Sequence, residues 1–121
     1  ELPCRRLIPY SFQGTTPPDA LKEEIRQVLE RGIGAMGRLC QFAPYLAGSE
    51  LSMADIYVRY VNTVVKMAGS SLLEWDILPE IADMSEWDAQ MADSDIARKI
   101  DADQAANAED FFAYLKRRFG G

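Results

Sequence analysis

Between residues 21 and 43, apolar or small residues fall at 21, 25, 28, 29, 32, 36, 39, 40 and 43. Those steps of three and four place them on one face of a helix. Lys22, Glu23, Arg26, Glu30 and Arg31 fill the other face. Thr16 is the expected N-cap, with Pro17 at the first helical position, where a missing N–H costs nothing. Asp19 would complete a Thr-x-x-Asp capping box. Pro44 is expected to force Ala43 out of the helical region and stop the helix. Gly48 then offers a loop position open to positive φ.

A second helix is predicted from about Ser52 to Ala68, carrying Ile56, Val58, Tyr60, Val61, Val64, Val65 and Met67. Little polar face remains, so most of its circumference is expected to be buried, as the central helix of the domain. β-branched residues make a strand the competing reading. The start of the segment decides for a helix. Ser52 is the N-cap, and its hydroxyl can accept from the backbone N–H of Asp55. Asp55 can accept in return from the N–H of Ser52, a capping box with Asp in place of the usual Glu or Gln. Leu51 and Ile56 flank the box as a hydrophobic staple. Gly69 is the expected residue just past the helix end.

The flanks are also helical in pattern. Residues 1–12 read as the tail of a helix whose earlier turns lie upstream, ended or kinked at Pro9. Gln13-Gly14-Thr15 is a loop. Ser70 to Leu78 is a connection with a turn around Leu72, Leu73 and Trp75. Pro79 opens a helix bearing Ile81, Met84, Trp87, Asp88 and Met91, with Met84 and Trp87 bulky enough to fill a groove between helices. Asp93-Ser94-Asp95 is a break and a new cap, with Ile96 and Ile100 inward. The last helix spans Ala105 to Phe119, with Phe111, Phe112, Tyr114, Leu115 and Phe119 on an aromatic face, and Gly120-Gly121 frays. No strand or repeat appears, so the fold class is all-α.

The chain's 121 residues suffice for one domain, residues 1–121. Its 48% hydrophobic and 26% charged content is that of a soluble globular protein. No apolar run is long enough for a membrane span, and no secretory signal is present. A net charge of −6 argues against a phosphate-backbone binder. The one basic run, Lys116-Arg117-Arg118, suits the C-terminal end of a helix dipole. Neither a nucleic-acid nor a membrane partner is expected. Cys4 and Cys40 match no zinc or CxxC spacing, and so few cysteines fit a reducing cytoplasm, the expected location. The first residue is Glu1 rather than Met, from which a piece of a longer protein is expected.

Candidate chemistry is sparse. Gly32-Ile33-Gly34-Ala35-Met36-Gly37 spells G-x-G-x-x-G, but it lies inside a helical pattern with no strand before it. Small residues there are expected to admit another helix closely rather than a pyrophosphate. With no histidine, Ser-His-Asp catalysis and histidine-ligated metals are excluded within the chain. The pairs Asp93/Asp95 and Asp101/Asp103 lack the glycine and terminal glutamate of a calcium loop, so no metal site is expected. Asp55, at a helix N-terminus, is favoured in its ionised form and reads as a cap rather than a proton donor. Cys4, beside Arg5 and Arg6, has some thiolate character in prospect.

The stretch Phe42-Ala43-Pro44-Tyr45-Leu46-Ala47-Gly48-Ser49-Glu50-Leu51-Ser52-Met53-Ala54-Asp55 resembles the "PYLAG-x-x-x-S/T-x-A-D" segment of cytosolic glutathione S-transferases. In that family the segment forms the capping box and staple of the central helix of the C-terminal domain. The resemblance runs from about Pro18 to Ile100, and Glu1 to Pro9 is similar to the later part of that domain's first helix. It departs at Asp93-Ser94-Asp95, where the family often has proline.

The resemblance implies an all-helical bundle around a buried central helix, without the family's thioredoxin-like N-terminal domain. That domain carries the glutathione site and the thiol-activating residue, so no catalytic residue and no cofactor carries over to this chain. Glutathione would be the co-substrate of the intact protein. This chain would supply walls of a pocket for an apolar small-molecule electrophile, from Arg5, Arg6, Tyr10, Phe111 and Tyr114. It would also supply contacts for a homodimer. The isolated chain is expected to be inactive. The alternative is a non-catalytic interaction module, similar to stringent-starvation proteins or translation-complex subunits, since fold alone does not set function.

Overall fold

A computed structural model describes residues 1–119, so the expected fraying of Gly120-Gly121 lies outside the described residues. Two short helices, α1 (Leu2–Arg5) and α2 (Ile8–Gln13), replace the single helix tail expected at the start. Proline occupies the first turn of each, where no N–H is needed, so Pro9 starts a helix instead of ending one. Gly14 closes α2 in the left-handed region, at φ 63°.

Helix α3 (Asp19–Leu39) is not capped by Thr16. Pro18 stands ahead of its first turn at φ −58° and ψ 142°, and no side chain caps the helix. The tandem prolines explain this, because Pro18 keeps Pro17 out of the helical region. At its other end α3 stops at Leu39, short of Ala43. Phe42 turns the chain at φ 48°, ahead of a cis Ala43–Pro44 bond. The N–H of Gln41 donates to the carbonyl of Leu46 at 2.8 Å, and Tyr45 and Gly48 exchange backbone bonds at 2.9 and 3.2 Å. Gly48, at φ 135°, takes a backbone conformation that favours glycine.

Helix α4 (Met53–Ala68) runs directly into a π-helical turn, Gly69–Leu73. Gly69 is therefore no left-handed stop; its φ is −60°. Glycine is required there by close approach. Trp75 N–H donates to its carbonyl at 3.0 Å, and a Cβ would lie 2.5 Å from the Trp75 carbonyl oxygen. Pro79 sits in a separate 3-10 turn, Leu78–Glu80, rather than opening α5 (Met84–Ala92). Ser94 caps the next helix, its hydroxyl accepting the N–H of Ala97 at 3.2 Å. That helix, α6 (Asp95–Phe119), is continuous, so no separate helix starts at Ala105. Residues 102–108 contain no glycine or proline and four alanines, so nothing interrupts it. The described residues are all-α, with no strand among them.

The core lies among α1, α3, the C-terminal half of α4 and α5, and includes Leu7, Ile25, Val65, Leu73, Met84 and Trp87. Each large apolar side chain buried there contributes about 1.5–3 kcal/mol. Full burial of α4 is confined to one stripe, a correction to the expectation that most of its circumference is buried. Its buried stripe is Asp55, Arg59, Asn62, Val65 and Ala68. The first half of that stripe is polar, while Met53 and Tyr57 are 75% and 67% exposed. Buried polar groups need internal partners, and these groups find them in neighbouring segments. Ala97 is the one buried residue among α6's described side chains, so Ile96 and Ile100 face outward, not inward. The glycines of G-x-G-x-x-G also correct an expectation. A Cβ on Gly32 or Gly37 would meet nothing within 4 Å, and one on Gly34 only the Arg38 guanidinium. None of the three is needed for a close helix contact among the described residues.

Candidate functional site

Asp55 has no exposed surface, and it accepts bonds from three separated segments. Oδ1 accepts the backbone N–H of Leu46 at 2.8 Å and the indole N–H of Trp87 at 3.0 Å. Oδ2 accepts the backbone N–H of Ser52 at 2.9 Å and its hydroxyl at 2.7 Å. The N–H of Asp55 meets the Ser52 carbonyl at 3.2 Å. One carboxylate thus joins the loop after α3, the entry to α4 and the middle of α5. Burial by itself would raise the Asp55 carboxyl, but the bonds from Leu46, Ser52 and Trp87 outweigh it and hold the group below the usual carboxylate range. It is ionised at neutral pH, a tie rather than an acid catalyst. The staple residues Leu51 and Ile56 stay 54% and 42% exposed.

The outward face of α4 forms an open apolar surface near α1. Met53, Ile56, Tyr57, Tyr60, Val61 and Val64 line a groove of about 380 Å³ with Glu1 and Arg5 at its side. A second groove of about 470 Å³ shares Tyr57 and Val61 and reaches Leu2, Ile33 and Met36. Polar neighbours are few, so this surface suits an apolar body better than a charged one.

Of the residues expected to bind substrate, Arg5 alone lines a groove beside α4. Arg5 borders the first groove, and its guanidinium pairs with Glu1. Arg6 forms a two-pronged pair with Glu24, at 2.5 and 3.2 Å, tying the end of α1 to α3. Tyr10 lies half-buried on α2. Phe111 and Tyr114 are about half exposed on α6, and Phe111 packs edge-on against Phe112, whose ring meets Phe12 of α2. Arg6, Tyr10, Phe111 and Tyr114 line neither groove.

Cys4 does not gain thiolate character. Burial pushes its thiol up, while the adjacent guanidiniums engage Glu1 and Glu24. Burial, then the charge of Asp55, raises Cys40 likewise. Among the described residues, no group of three or more Cys, Asp or Glu is placed to hold a metal ion, and no helix is long and apolar enough to cross a membrane.

Sequence reasoning took most of the α4 circumference as buried and so missed the groove, although Val61 and Val64 do pack, partly buried, against the core. A signal was present: Asp55, Arg59 and Asn62 are polar at steps of four and three, which marks a stripe that must find partners inside.

No protein-family model matches the chain. A curated protein of Pseudomonas putida named Glutathione S-transferase is 28% identical over 116 residues, which cover 96% of this chain and 53% of that protein. The chain therefore spans about half the length of the curated relative it matches. With the segment from Pro44 to Asp55 built into the entry of α4, an all-helical fold around it and an alignment along nearly its whole length, the chain is glutathione S-transferase-like.

Proposed function

We propose that this chain is the helical domain of a glutathione S-transferase-like protein and that its α4 groove faces a thioredoxin-like domain. In that arrangement the groove supplies the apolar wall of an electrophile pocket, and glutathione, bound by the other domain, attacks through its thiolate. The observation that carries the proposal is the unpartnered apolar face of α4, with Met53 and Tyr57 75% and 67% exposed on a buried-stripe helix. The roughly half-length match to a protein named Glutathione S-transferase supports it. A homodimer and a cytoplasmic location belong to the same reading. The chain itself offers no activated thiol, and the acid at the grooves, Glu1, is paired with Arg5, so the chain contributes shape and apolar surface while the thiol chemistry lies elsewhere.

The test uses the protein expressed from its complete reading frame. That protein should bind glutathione by isothermal titration calorimetry and conjugate an aryl halide. Tyr57→Lys, which puts a charge in the groove, should lower conjugation while the 121-residue chain alone shows none. Absence of glutathione binding by the complete protein, or turnover by the 121-residue chain alone, overturns the proposal.

A further inference from the structure

Helix α6 carries a row of exposed apolar side chains along one side. Ile96, Ile100, Phe111 and Tyr114 are 75%, 37%, 49% and 48% exposed. At about 100° per residue they fall within about 60° of one another around the helix. The side toward the rest of the molecule is a different one. It carries Ala97, which is buried, and Phe112, whose ring meets Phe12. Large apolar residues in line at both ends of one helix are unusual for a surface that meets only water. Between the two apolar ends, in the same sector, stand Asp103 and Asn107, both exposed.

This row is complementary to itself read backwards. When a second α6 lies against it antiparallel, centred near residue 105, Ile96 meets Tyr114 and Ile100 meets Phe111. In the same register Asp103 meets Asn107, whose amide can donate to the carboxylate, Lys99 meets Asp110, and Asp93 meets Arg117. A two-fold axis makes each contact twice. A parallel pair would set Asp103 against Asp103 and Lys99 against Lys99, which repel. Lys99 donates to Asp103 of its own helix and Asp93 accepts from Arg98. Both pairs are exposed, and an ammonium with three donors or a carboxylate with two oxygens serves a second partner as well. A hollow of about 230 Å³ lies beside Ile96 and Ile100, with Leu51 and Ile56 on its wall. It exceeds the roughly 150 Å³ cavity that holds benzene, so the Phe111 ring of the second copy fits there. We infer that the exposed side of α6 docks a second copy of this chain, antiparallel about a two-fold axis near residue 105. The pairing requires neither a second domain nor glutathione. The face from Ile96 to Tyr114 is about 27 Å long. Pairs that bury less than about 1,200 Å² are weak and transient, so a Kd on the order of 10–100 µM is expected for so small a face.

The test uses the protein expressed from its complete reading frame. A nitroxide is attached through p-acetylphenylalanine in place of Ala106 or of Ala113, which leaves the native cysteines unlabelled. In the antiparallel register the two 106 positions lie about 3 Å apart along the helix axis and the two 113 positions about 24 Å. With helices packed roughly 8–10 Å apart, pulsed dipolar spectroscopy should give a distance at 106 shorter than that at 113 by about 10 Å or more. Both signals should grow between about 10 and 500 µM protein. Asp110→Lys should weaken the pairing about tenfold or more, and adding Lys99→Asp should restore most of it, because the exchanged charges meet again. No short distance at 106 over that range overturns the inference, and association through any other face gives that result. Equal distances at the two positions, or pairing unmoved by Asp110→Lys, overturn it as well. If the double variant does not fold, the two distances decide.

Discussion

Replacing Asp55 by alanine removes the acceptor of four hydrogen bonds at once. The two bonds at Ser52 lie at the helix entry, where water can reach the partly buried donors. Losing them should cost what a lost cap costs, about 0.5–2 kcal/mol. The Leu46 N–H and the Trp87 indole lie deeper, and each buried donor left unpaired costs roughly 1–3 kcal/mol. These contributions share one carboxylate and do not simply add. A net loss of about 3–5 kcal/mol, as for other broken buried networks, is expected. Against a total stability of roughly 6–18 kcal/mol for a domain of this length, that is a large fraction. The urea midpoint should fall with little change in slope, and the melting temperature should drop by roughly 10–20 °C. Trp87→Phe keeps most of the ring and removes one donor, so it should cost less. A double-mutant cycle between the two positions should show coupling of about 1 kcal/mol or more. A midpoint unchanged by Asp55→Ala, or additive effects of the two substitutions, would refute the network as the tie between loop, helix and α5.

Acid should weaken the fold through the same group. The folded Asp55 carboxyl lies below its unfolded value, so the unfolded chain binds the extra proton. Its contribution is complete above the unfolded value, about pH 3.9, and is lost as the pH falls through the folded one. Asp55→Asn should flatten that part of a stability-against-pH curve; an identical curve would count against it. Gly69→Ala should destabilise by about 1–3 kcal/mol despite alanine's better helix propensity, because the new Cβ meets the Trp75 carbonyl 2.5 Å away. A raised urea midpoint would show that the π-turn shifts easily. Lys66 donates to Asp88 Oδ2 at 2.8 Å, and the other oxygen of Asp88 is buried without a partner. Since the Lys66 side chain is 42% exposed, water can replace part of what Lys66→Ala removes, so a loss of about 1–2 kcal/mol is expected by chemical denaturation. No loss would mean that water already serves the carboxylate.

What the sequence disclosed was mostly what a few adjacent residues decide. Ser52 and Asp55 are three apart, and their reach across one helical turn follows from that spacing. Ser94, Gly14 and Gly48 likewise announce a cap and two turns. Leu46 and Trp87, the other partners of Asp55, lie nine residues before it and thirty-two after, distances over which no local rule operates. The errors have equally definite sources. At Thr16 the cap pattern was sound in isolation, but the effect of Pro18 on Pro17 overrode it. At α4 apolar content was taken for burial, although content does not say which face has a neighbour. The expected substrate residues are a different case: the resemblance pointed to two chain ends, which meet at Phe12 and Phe112, away from the α4 grooves.

The Asp55–Trp87 bond also gives the molecule an internal clock. The chain has two tryptophans, and their indole protons sit in different surroundings. That of Trp87, on a side chain only 2% exposed, is locked to the carboxylate; that of Trp75 donates to Glu80 at 3.1 Å in an exposed bond. Placed in heavy water, the Trp75 proton should exchange early, through local opening near the π-turn. The Trp87 proton should wait for the event that separates loop, α4 and α5 together. Two resolved signals would then time partial and complete opening in one sample, without a label or a substitution.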